Sequence, residues 1–156
     1  MIPNKSYTVN EAQKILEHYC AYQERCHKEV ENKLRDLKMI PQAQEQIMLH
    51  LLQHNFLNEE RFAKAFVRGK FYHKNWGKLK IARELKFRNI SSYNIKTALL
   101  EINEDDYMKT LDSLATKKLT LIKESNLFKK RKKLSNYLIS KGFESNLVYK
   151  KSTELI

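Results

Sequence analysis

The chain has 156 residues, with 30 Lys and Arg against 18 Asp and Glu, a formal net charge of +12 and a sequence pI near 9.6. Its 3 Gly and 2 Pro leave few tight turns, which argues against an all-β fold. The cation excess points to an anionic partner, nucleic acid or a nucleoprotein ahead of a membrane surface. No stretch approaches the roughly 20 apolar residues of a membrane span, and no apolar leader opens the chain. Cys20 and Cys26, the only cysteines, therefore read as reduced cytoplasmic thiols.

Residues 1–7 read as a loose tail. Thr8-Val9-Asn10-Glu11 then forms a capping box, whose hydroxyl and carboxylate each satisfy an end amide. Ala12, Ile15, Leu16, Tyr19 and Cys20 follow at helical spacing, to about Gln23. A second helix begins near Cys26 and carries Val30, Leu34 and Leu37 inward. Pro41 suits the first turn of a third, whose stripe holds Ile47, Leu51 and Leu52 and which ends near His54.

Asn58 caps the next helix, with Glu59 and Glu60 at the positive end of its dipole. Phe62, Ala65, Phe66 and Gly69 form its stripe, and Leu57 is spaced to staple onto Phe62. Gly77 breaks the chain after Trp76. The helix beyond it turns Ile81, Ala82 and Leu85 inward and stops at Asn89. Ser91 caps the following helix, with Ile90 and Ile95 as a staple and Ala98, Leu99 and Ile102 along its face. Asn103 caps another, with Glu104, Asp105 and Asp106 in the first turn and Tyr107, Leu111, Leu114, Ala115 and Ile122 lining it. After a break near Ser125 and Asn126, a helix from about Leu127 buries Leu134 and Leu138 and stops at Gly142. A last helix from about Ser145 holds Leu147, Val148 and Leu155.

These nine helices form three sets, 8–56, 57–102 and 103–156. The second helix of each repeats a pattern: Val30, Leu34, Lys38, Met39; then Ile81, Leu85, Asn89, Ile90; then Leu134, Leu138, Gly142, Phe143. The offsets are 51 and 53 residues. A set this small has a small core, so neighbouring sets must support one another. The expected fold is all-α: three tandem three-helix repeats, elongated and curved, with grooves between sets.

Two cation groups stand out. Over 61–88, Arg61, Lys64, Arg68, Lys70, Lys74, Lys78, Lys80, Arg83, Lys86 and Arg88 share the span with one acid, Glu84. Lys129, Lys130, Arg131, Lys132 and Lys133 are consecutive, so at about 100° per residue they surround the start of their helix. Phe71, Tyr72 and Trp76 lie among the first group and are placed to stack on bases, although Trp76 beside Gly77 also reads as a packing anchor. Cys20, Cys26 and His27 lack a fourth ligand for zinc, so no metal is expected. No phosphate loop, nucleophile elbow or paired-carboxylate site is present, which argues against an enzyme and against a cofactor.

The run Phe56-Leu57-Asn58-Glu59-Glu60-Arg61-Phe62-Ala63 resembles a signature of the RecX family of recombination regulators. Gly77, Ile81, Glu84-Leu85 and Asn89-Ile90 continue the likeness, and Lys133-Leu134, Leu138 and Lys141-Gly142-Phe143 resemble the family's closing pattern. The likeness spans about 8–150. Asn55 and Asn89 stand where the family has glycine, and Lys38 occupies the first set's stop. Asn is the next best residue for a left-handed turn. The resemblance implies three tandem three-helix repeats, and a monomeric, non-catalytic cytoplasmic regulator. It implies binding to the RecA filament on single-stranded DNA, with double-stranded DNA also bound without sequence preference, and inhibition of RecA ATPase and strand exchange. Arg61, Phe62 and Leu85 are equally consistent with structural roles, Arg61 by pairing with an acid of its own set. The filament-binding residues would be Lys64, Arg68, Lys70, Lys74, Lys78, Lys80, Arg83, Lys86 and Arg88, with Lys129, Lys130, Arg131, Lys132 and Lys133. The alternative is a sequence-independent nucleic-acid binder acting without RecA.

Overall fold

The computed structural model describes residues 6–156, so the tail expected at 1–7 lies, over 1–5, outside the described residues. Among the described residues every regular element is a helix. In order they are α1 (Val9–Tyr22), α2 (His27–Asp36), α3 (Pro41–Gln53), α4 (Glu59–Tyr72), α5 (Lys78–Phe87), α6 (Ser92–Leu99), α7 (Glu104–Leu121), α8 (Leu127–Ser140) and α9 (Ser145–Leu155).

The expected caps form. Glu11 N–H donates to Thr8 Oγ1 at 3.1 Å while Thr8 N–H donates to Glu11 Oε1 at 2.9 Å. The Asn58, Ser91 and Asn103 side chains accept from the amides of Arg61, Asn94 and Asp106 at 2.9, 3.2 and 3.0 Å, and Asn126, read in the sequence only as a break, likewise caps α8 by accepting from Lys129 N–H at 3.0 Å. Each satisfies one orphan donor of its first turn, worth about 1 kcal/mol.

The three stops that repeat in the sequence also repeat in the backbone. Lys38, Asn89 and Gly142 all have positive φ, 59°, 61° and 99°. The residue after each donates back to the i−5 carbonyl: Met39 to Leu34 at 3.1 Å, Ile90 to Leu85 at 3.1 Å and Phe143 to Leu138 at 3.3 Å. This is the Schellman ending, which satisfies carbonyls left over at the helix end. Lys38 adopts it despite a Cβ that costs roughly 1–2 kcal/mol there. Asn55 ends α3 in the same way, with φ 61° and Phe56 N–H on the Leu51 carbonyl at 2.9 Å.

Two apolar cores result. The first joins α1, α2 and α3 through Ala12, Leu16, Cys20, Val30, Leu34, Ile47 and Leu51, with Leu57 closing it. The second runs without a break from α4 to α9 through Val67, Phe71, Ile81, Leu85, Tyr107, Leu111, Leu134, Leu138 and Phe143. Leu57 thus belongs to the first core and Phe62 to the second, in place of the expected staple between them. Leu52, expected inward, is 40% exposed, and Ala43 takes a core position of α3 instead. On α4 the buried residues are Phe62, Ala63, Val67 and Phe71, while Ala65, Phe66 and Gly69 flank that face. Helix α4 packs mainly on α6 and also on α5, which turns the buried stripe about one residue from the spacing read in the sequence.

The second and third sets meet backbone to backbone. Gly77 N–H donates to the Lys141 carbonyl at 2.7 Å, and Leu79 N–H to the Gly142 carbonyl at 3.0 Å. A Cβ on Gly77 would lie 2.3 Å from the Gly142 carbonyl carbon, and one on Gly142 would lie 2.3 Å from Lys80 Cβ. Beside this contact three aromatic rings line up, Phe71 to Tyr107 at 5.7 Å and Tyr107 to Phe143 at 5.2 Å. The Tyr107 hydroxyl accepts from Lys78 N–H at 3.0 Å and donates to the Glu144 carboxylate. Burial, with the Glu144 hydrogen bond second, pushes this phenol well above its ordinary range, so it stays a neutral donor. Ser135 and Ser152 share a buried hydroxyl bond of 2.8 Å between α8 and α9.

The accessible surface is 10315 Å² for 18.6 kDa. A compact monomer of this mass exposes about 8,200 Å². The excess of about a quarter is what a row of small units gives.

Two predictions follow from this packing. Gly77→Ala and Gly142→Ala should each cost about 2–4 kcal/mol in denaturant unfolding, because the added methyl meets main chain and, at Gly142, also a left-handed φ. Gly69→Ala, at a helical site with no atom near the new methyl, should instead gain about 0.5–1 kcal/mol. The second concerns the thiols. Burial first, only partly opposed by Arg25, pushes Cys20 from an ordinary 9.0 to about 11. A raised folded value favours the neutral thiol, so its stabilising effect is full below pH 9 and is lost as pH rises through about 11. Alkylation of Cys20 at pH 8 should therefore be at least about a hundredfold slower in the native protein than in urea, followed by mass spectrometry.

Candidate nucleic-acid interface

The sequence counts one acid among the cations of 61–88, but the fold brings others in. Lys64 meets Glu60 at 2.9 Å one turn back on α4, and Arg68 meets Glu101 at 2.6 Å from the end of α6. Lys78 bonds Glu104 at the start of α7 and lies 4.5 Å over the Tyr107 ring. Arg88 binds the Glu84 carboxylate at 3.0 Å and its carbonyl at 2.9 Å, and its guanidinium sits 4.8 Å over Phe66. These four cations are thus at least partly neutralised within the chain.

Arg61 is committed more fully. Its Nε donates to Glu24 at 2.7 Å, and its Nη2 donates to the carbonyls of Asn55 and Phe56 at 3.0 and 3.3 Å. The acid comes from the α1–α2 connection and not from Arg61's own set, which corrects the expectation for this residue. Arg61 therefore clamps the first core to the second. The Lys28 ammonium adds a second tie, 4.2 Å over the Phe87 ring and 3.4 Å from the Phe87 carbonyl.

Lys70, Lys74, Lys80, Arg83 and Lys86 have no carboxylate partner among the described residues, nor do Lys129, Lys130, Arg131 and Lys132. Lys133 meets Glu124 at 3.3 Å. Lys70 and Lys80 stand 4.8 and 4.4 Å from the Trp76 ring, so their stems and charges cover that indole. Trp76 is therefore a partly buried anchor for cations. Phe71 is buried, and Tyr72 donates to Asp106 at 3.0 Å.

One functional candidate escaped the sequence reading. Lys141, next to Gly142, donates its Nζ to the Lys74 carbonyl at 3.1 Å. Burial, and then Lys80, hold its ammonium below the ordinary lysine range. Lys70, Lys80, Lys141 and the Lys74 turn thus converge at the contact between sets, with no acid to offset them. The sequence showed Lys141 only as part of a closing pattern, since its nearness to Lys80 depends on the Gly77–Gly142 contact.

Most of the unpaired cations among the expected site residues gather in two groups. One is the convergent cluster at the joint, near the C-terminal end of α8. The other is the run 129–133 at the N-terminal end of α8, roughly 18 Å away at 1.5 Å of rise per residue. Arg83 and Lys86 continue from Lys80 along α5 at three-residue spacing, both exposed. Among the described residues no group of His, Cys, Asp and Glu could hold a metal, and no helix is long and apolar enough to cross a membrane.

Comparison with known proteins fits this architecture. Family models of RecX match residues 58–99, as its second three-helix domain, and 104–151, as its third, together more than half of the chain. The regulatory protein RecX of Clostridium beijerinckii is 30% identical over 122 residues, 77% of this chain and 56% of that protein. That of Oceanobacillus iheyensis is 23% identical over 141 residues, 90% of this chain and 52% of that protein. The chain thus spans about half the length of these relatives. The crystal structure of RecX from Lactobacillus salivarius superposes with a TM-score of 0.82 at 24% identity, covering 94% of this chain and 96% of that one, and supports the fold. With matched domains in the second and third positions and the same helical architecture, the chain belongs to the RecX family.

Proposed function

We propose that this protein is a non-catalytic regulator that binds the RecA filament on single-stranded DNA and inhibits RecA ATPase and strand exchange. Family membership supports the regulatory role. The observation that carries the physical reading is the distribution of uncompensated charge. Lys70, Lys80 and Lys141 gather at the joint between sets, beside the exposed Lys74 turn, and Lys129, Lys130, Arg131 and Lys132 at the far end of α8. Like charges held together in a folded chain repel, and an ordered array of phosphates offsets that repulsion.

The shape suits the same partner. The protein is a row of three-helix units joined by Arg61–Glu24 on one side and by the firmer Gly77–Gly142 contact on the other. Laid along a filament, it would touch more than one subunit. It would oppose the relative movement of subunits that turnover and strand exchange require. Cytoplasmic location and a monomeric state belong to this proposal, as does binding to double-stranded DNA without sequence preference.

Titrating RecA ATPase on single-stranded DNA with this protein, well below the DNA concentration, tests the reading. Inhibition at that low ratio is expected. Inhibition only near saturation would favour a nucleic-acid binder that competes for DNA without engaging RecA. In the same assays, Lys74→Gln with Lys80→Gln and Lys141→Gln should lower the salt slope of single-strand binding by up to about 0.7 per lost phosphate contact. The combination of Lys129→Gln, Lys130→Gln and Lys132→Gln should do likewise. Neutralising Lys64 and Arg68, which already face Glu60 and Glu101, should leave the slope near its starting value.

A further inference from the structure

The tip formed by the end of α7 and the start of α8 combines cations with bare apolar surface. Leu121 is 71% exposed, Leu127 59% and Phe128 75%. They flank a short connection in which Glu124 is the only acid. Its carboxylate is held below the usual range by the Asn126 amide first and Lys133 second, and is thereby committed to the fold. Behind the apolar tip lies a groove whose floor includes Tyr137, with the Lys118 ammonium 4.8 Å over that ring. Cations at 129–133 surround the first turns of α8, and Lys123 lies in the connection.

The partner must satisfy both features. Phosphates offset the charge and leave the apolar residues in water. A lipid surface would cover both only if the helix carried its apolar residues on one face and its cations on the other. Helix α8 does not: its apolar face, Leu134 and Leu138, is buried in the second core, and its cations point to all sides. Duplex DNA offers phosphates but keeps its base faces stacked. Unpaired nucleotides offer alternating phosphates and apolar base faces within one chain.

We propose that this tip is a base-contacting site for single-stranded nucleic acid, in which Phe128 stacks on an unpaired base, Leu121 and Leu127 border it, and Arg131 and Lys132, three and four residues on along the same face of α8, hold the flanking phosphates. It rests on the reading that the 129–133 run faces nucleic acid, and adds that this end of the protein touches bases and not only backbone. The contact is independent of sequence, because every base has an apolar face.

The test uses the purified chain without RecA, oligo(dT) and an abasic deoxyribose-phosphate oligomer of equal length, each titrated at several salt concentrations by fluorescence anisotropy. Phe128→Ala should weaken oligo(dT) binding about five- to a hundredfold with an unchanged salt slope. It should leave abasic binding as it was, and Phe128→Trp should restore the oligo(dT) affinity. Since Phe128 is exposed, circular dichroism of each variant should match the parent. Equal loss on both oligomers, or no loss on oligo(dT), overturns the proposal. So does weakened binding of Phe128→Ala to phosphatidylserine vesicles with oligo(dT) binding intact, which would assign the tip to lipid. If the base contact fails while the parent still inhibits RecA ATPase at low ratio, only this inference falls. If the base contact holds and RecA is not inhibited, the regulatory reading falls instead.

Discussion

Two glycines, packed so closely that neither position has room for a Cβ, hold the second and third sets in register. Because Gly77 and Gly142 have no side chains, the turn before α5 and the turn after α8 can exchange hydrogen bonds directly, Gly77 N–H to Lys141 and Leu79 N–H to Gly142. That approach aligns Phe71, Tyr107 and Phe143 and lets one phenol bridge Lys78 N–H and Glu144. It also sets Lys80 beside Lys141. The continuous second core and the basic joint are thus consequences of one close contact.

Charge is apportioned by the same geometry. Helix ends bring Glu101 and Glu104 to Arg68 and Lys78, so half of a conspicuous basic stretch is turned inward to ion pairs. Exposed pairs of this kind contribute little to stability, typically below about 1 kcal/mol. Their larger effect is to remove these cations from the outward field. What remains lies at the two ends of α8 and, with Arg83 and Lys86, along α5, and a partner with regularly spaced negative charge is suited to it. Indole and phenyl rings beneath Lys70, Lys80 and Arg88 hold the cations in place without neutralising them.

The first set is attached differently. No glycine contact joins it to the second. Arg61 reaches back to Glu24 and to two carbonyls at the end of α3, and Cys26 inserts its side chain into the second core. A polar clamp over a small apolar contact is a weaker union than a shared core, since the pair is more than a quarter exposed on each side. The first core can therefore open from the second at lower cost than the second and third can separate.

Much of the architecture is legible from the sequence because it rests on short-range chemistry. Thr8, Asn58, Ser91 and Asn103 cap the helices they precede, since a side-chain oxygen three residues from a free amide needs no distant partner. The stops at Asn89 and Gly142 follow from left-handed preference, and even Lys38 conforms because the i−5 hydrogen bond repays its strain. Tertiary structure alone decided which side of α4 is buried, because that depends on where α6 lies, and it placed Leu52 outside and Ala43 inside. It alone decided which cations are free, since Glu24, Glu101 and Glu104 are 37, 33 and 26 residues from the side chains they bind. The sequence by itself determined the nine helices of the described residues and a large positive charge; the packing of those helices determined where that charge is left unopposed, because Coulomb interactions depend on distance through space and not along the chain.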